Sequence, residues 1–572
     1  MVLIADPQLV DPHTYPGRPW LLSSLTIYYT DLYIRKSFQH IRDTLGPDSI
    51  FFLGDLFDGG REWSTSLAPS AETENTDKRW AKYGQRYWFH EYVRFNRIFI
   101  DPWLRGEKLK KHNLSGRKLI AELPGNHDLG LGNGIRMPAR NRFNTYFGDG
   151  NRIDIVGNHT FISVDTVSLS AKGQMDPATG SQMMNDEEEH AKSIWAPVDH
   201  FLHTAGARKA RAIKRELRVR NGQSENTELE HVAMELDDPR SYTIPVESKP
   251  DTDIPSVLLT HVPLYRAPGT PCGPLRERFP PTKSSKDSNP VEKDEGNAIH
   301  VQAGVQYQNV LTSTISNEIV NLVGDITHVF SGDDHDYCEV VHREYTSMGG
   351  GIREITVKSI SWAMGVREPG FLLVSLWNPV DAQGKAISSE STTKTTIQSH
   401  LCLLPNQLSI FIRYAWLLIL TIIVMVTRSY LLAYRKGSAG NVSRGHYLPV
   451  SGMDMLRKKD DTMTPLNRSR VNSQSKSSSS DSSSQNGLAV RANAARAKSS
   501  SPHHGYGYEL QATDSSLESG VNGSNWNDID LADSGRRRAV GGLHGVFLET
   551  RRSLSIVASV VGVWYIWLLW SS

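Results

Sequence analysis

Five short polar motifs, each following an apolar run of strand length, constrain the fold of this 572-residue chain more than any other feature. Apolar runs of this length, ended by polar or glycine-containing segments, are typical of buried β-strands. The runs are Val2 to Ala5, Ile50 to Leu53, Lys118 to Glu122, Ser256 to Thr260 and Thr327 to Ser331. The motifs after them are Asp6-Pro7-Gln8, Gly54-Asp55-Leu56-Phe57-Asp58, Gly125-Asn126-His127-Asp128, His261 and Gly332-Asp333-Asp334-His335. Loops at the carboxyl ends of strands in an α/β sheet open into one crevice, so we expect the five motifs to meet there.

The spacing of the other apolar residues predicts an α/β sandwich of two sheets over residues 1–378. Between the first two strands, one helical face is marked by residues spaced four, three and four apart, namely Ile34, Phe38, Ile41 and Leu45. Further strands are expected at Thr160 to Asp165, Glu354 to Ser359 and Phe371 to Trp377. The last two have no helical pattern between them, which favours a second sheet built partly from hairpins.

The stretch at about 167–250 interrupts this rhythm and is expected to be an insertion. It holds an acidic run from Asp186 to Glu189 and a basic helical stretch from Arg208 to Arg220. A solvated helix hairpin is the simpler interpretation, and contact with a partner or with membrane headgroups is the alternative. Residues 379–407 are expected to form a linker after the folded domain.

Two apolar stretches have the length of membrane spans. Leu408 to Val426, interrupted only by Arg413, belongs to a predicted span and flank at residues 408–434, and Leu554 to Trp570 belongs to a second span at 553–572. About 17–20 apolar residues can cross a hydrocarbon core as a helix. A buried core helix is disfavoured, because the Ser-rich chain beside these stretches could not cover them.

The segment between the two spans, residues 435–552, is expected to be disordered and cytoplasmic. It has few aromatic residues, no sustained periodicity and a serine-rich tract. Basic residues cluster near both of its ends, which marks the cytoplasmic side of a membrane. The folded domain and the short C-terminal end would then face the lumen. Sequons at Asn113 and Asn158 are compatible with glycosylation there.

Charge and cysteine content disfavour two common classes of protein. The net charge is +1, with basic residues spread among acidic ones, so nucleic acid is not an expected partner. The three cysteines, Cys272, Cys338 and Cys402, form no CxxC pair and no disulfide framework. A Cys272–Cys338 bridge is compatible with the sequence, but no sequence feature supports it.

The residue types in the five motifs suit divalent cations. Carboxylates, amide carbonyls and imidazole nitrogens bind manganese, magnesium, iron or zinc. Two such cations clamp the attacking and leaving oxygens of an in-line phosphoryl displacement. A carboxylate must bridge them, and Asp55 is the natural bridge because Asp6 precedes it while Asn126 and His261 follow it. The histidines without such a context are expected at the surface or in packing roles, and these are His40, His90, His112, His200, His203, His300 and His342.

The motifs resemble those of the calcineurin-like metallophosphoesterases, whose pattern is DxH, GDxxD, GNHD or GNHE, a lone His, and GHxH. The match covers about residues 1–378. A closer resemblance is to the fungal branch related to the animal enzyme that trims ethanolamine phosphate from GPI-anchor glycans. It rests on Ala5 to Gln8, Gly54 to Arg61 and Phe330 to Cys338. The resemblance implies a four-layer sandwich, two mixed sheets flanked by helices, followed by transmembrane helices.

The family pattern implies two metal sites that share one carboxylate. The first would use Asp6, Gln8, Asp55 and His335, and the second Asp55, Asn126, His261 and Asp333. His127 would protonate the leaving oxygen or stabilise the transition state, with Asp128 orienting its ring. Asp58 would support these residues by hydrogen bonding rather than bind metal.

Two residues depart from the family pattern. Gln8 stands where His is usual, and Asp333 stands where the first His of GHxH is usual. Gln8 still offers a carbonyl oxygen, while Asp333 adds a third carboxylate to those of Asp6 and Asp55. Three negative charges against the four positive charges of two divalent cations leave a centre that can still hold a phosphodiester. The oxygen-rich ligand set favours manganese or magnesium over softer metals.

These features predict a manganese-dependent phosphodiesterase that removes ethanolamine phosphate from a mannose of GPI-anchor glycans. It would act in the membrane of the endoplasmic reticulum or Golgi and support anchor remodelling and transport between the two. The substrate rests on the resemblance alone. One alternative is another membrane-bound phosphoesterase, acting on phosphoproteins, nucleotides or a lipid headgroup. The other is a non-catalytic trafficking or cargo-receptor protein with a decayed site, against which His127 argues.

The start of the chain conflicts with a lumenal domain. Met1 lies directly before the first strand, with no signal peptide or span ahead of it to translocate the domain. A truncated gene model that lacks an upstream membrane span is the expected explanation. If the true 5′ end of the transcript encodes no apolar segment, a cytoplasmic catalytic domain becomes the better interpretation.

Overall fold

The structure of the protein is a computed structural model. The structure describes residues 1–65, 83–105, 117–172, 185–220, 222, 254–278, 293–304, 307–345, 350–381, 396–442 and 543–571. The strands are β1 (Val2–Ile4), β2 (Ser49–Phe52), β3 (Lys118–Ile120), β4 (Arg152–Val156), β5 (His159–Val164), β6 (Ser256–Thr260), β7 (Ala303–Gly304), β8 (Tyr307–Gln308), β9 (Ile326–Ser331), β10 (Cys338–His342), β11 (Ile352–Thr356), β12 (Gly370–Leu376) and β13 (Ile397–Leu403). The helices are α1 (Trp20–His40), α2 (Gln85–Phe95), α3 (Asp101–Leu104), α4 (Asn126–Leu129), α5 (Met137–Phe147), α6 (Thr166–Leu169), α7 (Asn185–Arg220), α8 (Ser313–Val323), α9 (Gln407–Val442) and α10 (Leu543–Ser571). The chain divides into two units, Met1–Leu417 and Leu418–Ser572.

Two mixed sheets with flanking helices form the first unit. The five-stranded sheet has the order β13-β12-β1-β2-β3, and the six-stranded sheet has the order β10-β11-β9-β6-β5-β4. Strands β1, β2 and β3 are parallel to one another, as are β5, β6, β9 and β11. Parallel strands are usually buried on both faces, which explains the continuous apolar runs in the sequence. The predicted α/β class with two mixed sheets is therefore confirmed.

Alternating side chains of the strands supply two separate cores. Ile4 of β1 packs into the core on the helix side, together with Phe38 of α1. Its neighbour Leu3 faces the other way, into the core between the two sheets. Across that inner core, Phe51 of β2 stacks on Phe161 of β5 with ring centroids 5.2 Å apart. Burial of both faces fixes the register of these strands, because a slip by one residue would exchange the two cores.

Each of the five polar motifs follows the carboxyl end of a strand that has a parallel neighbour. The motifs at Asp6 and Asp55 follow the parallel neighbours β1 and β2, and the motif at Asn126 follows β3. His261 directly follows β6, and the motif at Asp333 follows its parallel neighbour β9. The two sheets therefore deliver all five loops to the same edge of the sandwich.

The last strands fit only in part the expectation of a second sheet built partly from hairpins, because β11 lies in that sheet and pairs antiparallel with β10, but β12 does not. Strand β12 joins the first sheet beside β1, with Val2 opposite Leu373, whereas β11 joins the second sheet parallel to β9. Strand β13, Ile397–Leu403, forms within the predicted linker at 379–407 and pairs along the whole of β12. The folded domain thus extends past residue 378. The pairing of β12 with β1 joins the two ends of the domain, so local apolar patterns could not assign it.

Helix α7 fills most of the described part of 167–250, where a solvated helix hairpin was expected. It is one long helix with Pro197 inside it. Ile194, Val198 and Leu202 lie four residues apart on one face and are fully buried in the helix-side core. The many charged residues on the outer face concealed this apolar stripe. The helix therefore packs against the core, whereas residues 173–184, 221 and 223–253 of the predicted insertion lie outside the described residues.

One disulfide links two loops near the crevice. Cys272 and Cys338 are bonded across a sequence separation of 66 residues, and Cys402 on β13 is free. Both bonded cysteines belong to a small core that also contains Val310 and Val340. The bridge joins the segment after His261 to the first residue of β10, directly after the last polar motif. No sequence feature had supported this bridge.

One helix among the described residues is long and apolar enough to cross a membrane. It covers Gln407–Arg435 of α9, and the most apolar stretch of this helix is not buried. This helix contains the first predicted span. The second predicted span falls in α10, and the side chains of residues 565–572 are not among those that the structure describes. That second span stays a prediction.

Three other predictions lie partly or wholly outside the described residues. Asn113 and His112 fall between residues 105 and 117, and residues 443–542 cover most of the segment predicted to be disordered. Asn158 is described and lies in the turn between β4 and β5, where its amide donates a hydrogen bond to Asn378 Oδ1 at 2.6 Å. Its glycosylation stays a prediction.

Removal of the disulfide should destabilise the first unit. Replacing both Cys272 and Cys338 by Ser frees a loop of 66 residues in the unfolded chain, and loss of a native bridge typically lowers the free energy of unfolding by about 2–5 kcal/mol. Thermal unfolding of the full chain in detergent should show a clearly lower Tm for this double variant.

Cys402→Ser is the matched control and should leave Tm unchanged. Alkylation of the unreduced, unfolded wild-type protein, followed by mass spectrometry, should label one cysteine. Labelling of three cysteines would contradict the bridge.

Candidate metal centre

The crevice brings together the residues predicted for the first metal. Donor atoms of Asp6, Asp55 and His335 all lie within 4.8 Å of one another. Gln8 is adjacent, because its side-chain Nε2 donates a hydrogen bond to Asp55 Oδ2 at 2.5 Å. Asp6, Gln8 and Asp55 are buried, whereas His335 is partly exposed. One cation could contact all of these residues.

The residues predicted for the second metal converge on His261. Its Nε2 atom lies 3.2 Å from Asn126 Oδ1, 3.4 Å from Asp55 Oδ1 and 3.5 Å from Asp333 Oδ1. The other ring nitrogen, Nδ1, lies 2.7 Å from Leu53 O and can only donate to that carbonyl. This contact holds the ring so that Nε2 faces the three oxygens, as is usual for a histidine that binds metal. Asp55 takes part in both groups, which is the position required of a bridging ligand.

Two buried oxygens indicate that a cation belongs in this crevice. Within the described part of the chain, Asp6 Oδ2 and Gln8 Oε1 are buried and accept no hydrogen bond. A buried polar atom without a partner costs roughly 1–3 kcal/mol, so native structures rarely leave one unsatisfied. Both atoms are oxygens of the type that bind divalent cations. The donor set therefore fits a metal ion.

Backbone strain is concentrated at the same residues. Seven non-glycine residues in the described ranges have positive φ, and five of these are predicted ligands. The five are Asp6 (47°), Gln8 (30°), Asp55 (54°), Asp333 (72°) and His335 (65°). Each such conformation costs roughly 1–3 kcal/mol and persists only where the surrounding structure enforces it. The fold thus maintains these five side chains in place against a local energetic cost.

Glycine is required where the loops approach each other most closely. A Cβ atom on Gly125 would overlap the carboxylate of Asp55. Gly54 has φ +92°, and a Cβ atom there would lie 2.5 Å from Nδ1 of His261. Any larger residue at these two positions would separate the strands' loops and move the ligands apart.

The charges of the crevice are those of a cation site. Burial raises the pKa of Asp6 well above its usual range, and the neighbouring carboxylates of Asp55 and Asp333 raise it further. Burial alone would lower the pKa of His261, but the same carboxylates outweigh it and hold that pKa well above the usual range. Desolvation lowers the pKa of His335 to about 4, so its ring is neutral and able to bind metal at neutral pH. Divalent cations would take the place of the protons that these carboxylates otherwise attract.

His127 lies at the open side of the crevice. Its backbone N–H donates to Asp55 Oδ1 at 2.8 Å, which ties it to the bridging carboxylate. The ring Nδ1 lies 2.7 Å from the backbone oxygen of Asp58 and 3.4 Å from its carboxylate. The His127 side chain is 23% exposed, in contrast to the buried Asp6 and His261. A ring placed in this way can contact both the ligands and an incoming substrate.

Asp58 also contacts a histidine that the sequence analysis did not consider. His13 Nδ1 lies 3.2 Å from Asp58 Oδ2, and the rings of His13 and His127 are 6.4 Å apart in a T-shaped arrangement. Asp11 fixes this loop by accepting hydrogen bonds from the backbone N–H groups of His13 and Gly59. The only sequence signal for His13 was its position in the same loop as the first motif.

The predicted role of Asp128 is wrong. Its carboxylate does not contact the ring of His127 but accepts hydrogen bonds from the backbone N–H groups of Leu56, Phe57 and Gly125, at 2.9–3.1 Å. Burial raises the pKa of Asp128 to about 7, with Asp55 adding to the effect. Asp128 therefore joins two loops of the crevice, and Asp58 holds the His127 ring instead. In the short helix α4, the adjacent side chains of His127 and Asp128 point to different sides. Their adjacency in the sequence therefore did not show that they make no contact.

Ser359 is a second residue that the sequence analysis missed. Its hydroxyl donates to the backbone oxygen of Asp6 at 2.8 Å, and its N–H donates to the backbone oxygen of His335 at 3.0 Å. It thus connects the first and last motifs. No motif in the sequence pointed to it, because the contact depends on where the chain after β11 returns to the crevice.

The remaining histidines lie largely as predicted. Those exposed at the surface are His40, His90, His200, His203 and His300. His342 is buried, with Nε2 2.6 Å from Glu354 Oε2. Another group of two acidic residues and a histidine lies on α7 and α8 and consists of Asp199, His203 and Glu318. Lys172 Nζ already lies 2.6 Å from Asp199 and 2.5 Å from Glu318, so this group is explained as an ion-pair network.

Three curated proteins are similar to this chain over most of its length. Cell division control protein 1 of Saccharomyces cerevisiae is 32% identical over 417 residues, which cover 72% of this chain and 62% of the yeast protein. The metallophosphoesterase 1 homolog of Drosophila melanogaster is 22% identical and covers 66% of this chain and 71% of its own length. Metallophosphoesterase 1 of Mus musculus is 24% identical, over 60% of this chain and 62% of its own length. The chain thus spans less than two thirds of the yeast and mouse proteins.

A similar solved structure is that of a dimetal phosphatase from Danio rerio. It is 12% identical, covers 65% of this chain and 90% of its own, and has a TM-score of 0.29. That score is too low to carry the fold assignment, which rests on the sheet topology. No protein-family model matches the chain. From its sequence relatives and the convergent ligand motifs, the chain is a relative of the calcineurin-like metallophosphoesterases.

Proposed function

We propose that the chain is a two-metal phosphodiesterase that removes ethanolamine phosphate from the mannose of GPI-anchor glycans. The observation that carries the enzymatic part is the convergence of six predicted ligand residues on Asp55, with His127 beside them at the open side. Similarity to metallophosphoesterase 1 supports the same reaction class. Such an activity would support remodelling of GPI anchors and their transport from the endoplasmic reticulum to the Golgi.

Two divalent cations would be held by the ligand groups that share Asp55. One group comprises Asp6, Gln8, Asp55 and His335, and the other comprises Asp55, Asn126, His261 and Asp333. When bound, the cations would neutralise the phosphodiester and supply a nucleophilic water at neutral pH. Oxygen atoms dominate both groups, which favours Mn²⁺ over the alternatives Mg²⁺, iron and Zn²⁺.

His127 supplies the proton that the leaving alcohol needs. Because Nδ1 faces the backbone oxygen of Asp58, it must carry hydrogen, and Nε2 is the nitrogen available to a substrate oxygen. The Asp58 carboxylate, 3.4 Å from Nδ1, offsets the positive charge that a proton on Nε2 brings. Asp58 in turn is held by His13. Positioned proton transfer of this kind typically contributes about 10²–10⁴ to a rate.

The substrate assignment rests on the closer resemblance of three segments to the fungal branch. The candidate span in α9 adds support, because an enzyme fixed in the membrane meets membrane-anchored glycans. Another membrane-bound phosphoesterase, acting on phosphoproteins, nucleotides or a lipid headgroup, would need the same metal centre. A non-catalytic trafficking or cargo-receptor protein is disfavoured, because such a protein has no need for strained ligands and a positioned His127.

The Cys272–Cys338 disulfide supports placement of the catalytic domain in the lumen. Stable disulfides form in oxidising compartments such as the lumen of the endoplasmic reticulum and are rare in the cytosol. The basic residues that flank the predicted spans favour the same orientation. We therefore assign the protein to the membrane of the endoplasmic reticulum or Golgi, with the metal centre on the lumenal side.

Substitution of Asp55 and of His127 should have different effects on metal content. Asp55→Ala removes the shared ligand, so the full-length protein should lose most of its metal and its phosphodiesterase activity. His127→Ala should keep the metal and lose activity by about 10²-fold or more. The measurements are elemental analysis of the purified protein and hydrolysis of a phosphodiester.

His200→Ala, at an exposed position of α7, is the matched control and should resemble wild type in both measurements. Full activity of a metal-free Asp55→Ala protein would contradict the two-metal mechanism.

The role of His127 should depend on the leaving group. A substrate that releases ethanolamine phosphate from a sugar hydroxyl needs a proton on its leaving oxygen, whereas a nitrophenyl ester does not. His127→Ala should therefore reduce kcat far more for the sugar ester than for bis(p-nitrophenyl) phosphate. Asp58→Asn should show the same selectivity to a smaller degree, with unchanged metal content. Equal losses for both substrates would show that His127 does not donate the proton.

The GPI substrate can be tested in cells that lack the protein. Mass spectrometry of released GPI glycans should show an additional ethanolamine phosphate on one mannose, and wild-type protein but not His127→Ala should remove it. Unchanged glycans together with hydrolysis of generic phosphodiesters by the purified protein would favour the other phosphoesterases. Unchanged glycans and complementation by His127→Ala would favour the non-catalytic alternative.

A further inference from the structure

The first half of α1 presents large apolar side chains to the surroundings. Trp20, Leu21, Leu22 and Leu25 are 79%, 56%, 52% and 44% exposed. No charged residue occurs from Trp20 to Thr30. The buried residues of α1, in contrast, begin at Thr30 and lie in the second half of the helix. An uncharged helix end that exposes several large apolar side chains is typical of an interaction site or a membrane-embedded element.

Hydroxyl groups in this half bond to the helix itself. Ser24 Oγ donates to Trp20 O at 2.8 Å, Thr26 Oγ1 donates to Leu22 O at 2.8 Å, and Thr30 Oγ1 donates to Thr26 O at 2.6 Å. These three donors therefore do not need water. Internal satisfaction of polar groups is what a lipid environment requires, whereas a solvated surface has no such requirement.

The candidate membrane span begins beside this helix. Tyr33 donates a hydrogen bond from its hydroxyl to Pro405 O at 2.8 Å, and further along, Tyr29 contacts Phe411 with ring centroids 6.0 Å apart. The chain from Pro405 to Phe411 thus runs along α1 toward its exposed apolar end. These contacts all lie within the first unit. The exposed end of α1 and the start of the span are therefore on the same side of the catalytic domain.

The same side is connected to the metal centre by short stretches of chain. Ser359 binds the backbone of the first and last motifs, and three residues later Trp362 packs against Phe411 with ring centroids 6.4 Å apart. Tyr15, two residues after His13, donates from its hydroxyl to the backbone oxygen of Ala363 at 3.5 Å. The loop that carries His13 then leads directly into α1.

Arg18 links this loop to the helix. Its guanidinium donates to Thr26 Oγ1 at 2.8 Å and lies 3.7 Å from the centroid of the Tyr15 ring. An arginine next to tryptophan at the start of an apolar helix is typical of the membrane interface, where the charge can reach phosphate headgroups.

We propose that the segment Trp20–Tyr29 lies in the interface of a lipid bilayer, the same bilayer that α9 crosses. The occupant of this surface is lipid rather than a second copy or a protein partner, because the apolar face is continuous with the start of the span. Immersion of this segment holds the crevice next to the membrane. The site therefore takes phosphodiesters of molecules anchored in that membrane. The substrate class, but not the lipid contact, rests on the phosphodiesterase activity proposed above.

Depth-dependent quenching tests the lipid contact without reference to activity. The full chain, carrying Cys402→Ser and Leu22→Cys with an environment-sensitive fluorophore, is reconstituted into phosphatidylcholine vesicles that contain doxyl-labelled lipid. Leu104→Cys is the matched control, because Leu104 is also exposed, at 73%, but lies near the other end of α1. Its neighbour Pro102 accepts a hydrogen bond there from Arg42, which follows the last residue of α1. Quenching at position 22 and little quenching at 104 is the expected result. Equal quenching at both positions would overturn the proposal.

The label also distinguishes the other occupants of the surface. Self-quenching at position 22 that depends on protein density, without quenching by doxyl lipid, would assign the face to a second copy. If the label at position 22 is quenched neither by doxyl lipid nor by self-quenching, the apolar surface is more consistent with a protein partner. Either outcome would contradict the lipid contact.

Activity on two forms of one substrate tests the consequence for catalysis. Leu21→Ser/Leu22→Ser should lower kcat/KM about tenfold for an ethanolamine-phosphate mannoside with a lipid tail in phosphatidylcholine vesicles. The same mannoside without the tail should be hydrolysed as by wild type. Leu45→Ser/Leu104→Ser, exposed at the other end of α1, is the control and should match wild type on both. Equal losses of kcat/KM on the two forms of the mannoside would contradict the proposal. A wild-type protein that hydrolyses neither form would refute the proposed phosphodiesterase activity, but the quenching result on the lipid contact would remain valid.

Discussion

The carboxylate of Asp55 is the interaction on which the rest of the crevice depends. It accepts hydrogen bonds from the Gln8 amide and from the His127 backbone, and it lies 3.4 Å from the His261 ring. Through these contacts the loops after β1, β2, β3 and β6 converge on one acidic group. Its left-handed backbone and the crowding of carboxylates around it are both unfavourable in isolation. Bound cations would reverse the electrostatic part of this cost, so that folding of the crevice and binding of metal reinforce each other.

The sequence alone predicted which motifs meet, because each motif follows a strand and strand ends share one edge. It placed Asp6, Gln8, Asp55 and His261 in a common site, and the structure brings these residues together. It could not assign the partners of His127, since the roles of Asp58 and Asp128 depend on the direction of side chains in a helix of four residues. The pairing of β12 with β1 and the contact of Ser359 with Asp6 were also beyond it, because each joins segments that are more than 350 residues apart in the sequence.

The fold couples the metal centre to two further features of the first unit. The disulfide ties the segment after His261 to the strand after the last motif, which restrains two of the loops that form the crevice. The contact of Trp362 with Phe411 connects the crevice to the start of the apolar helix. An enzyme built in this way would meet its substrate at the membrane surface rather than in solution, which agrees with a glycan attached to a lipid anchor. Substrate choice would then depend on location as much as on contacts within the crevice.

Electron paramagnetic resonance of the Mn²⁺-loaded full-length protein can test whether two cations share Asp55. A shared carboxylate places two Mn²⁺ ions close enough to couple their spins. We expect the spectrum of an exchange-coupled pair in the wild-type protein, and we expect Asp55→Ala to abolish the coupling. A spectrum of isolated, uncoupled Mn²⁺ in the wild-type protein at saturating metal would contradict a shared Asp55.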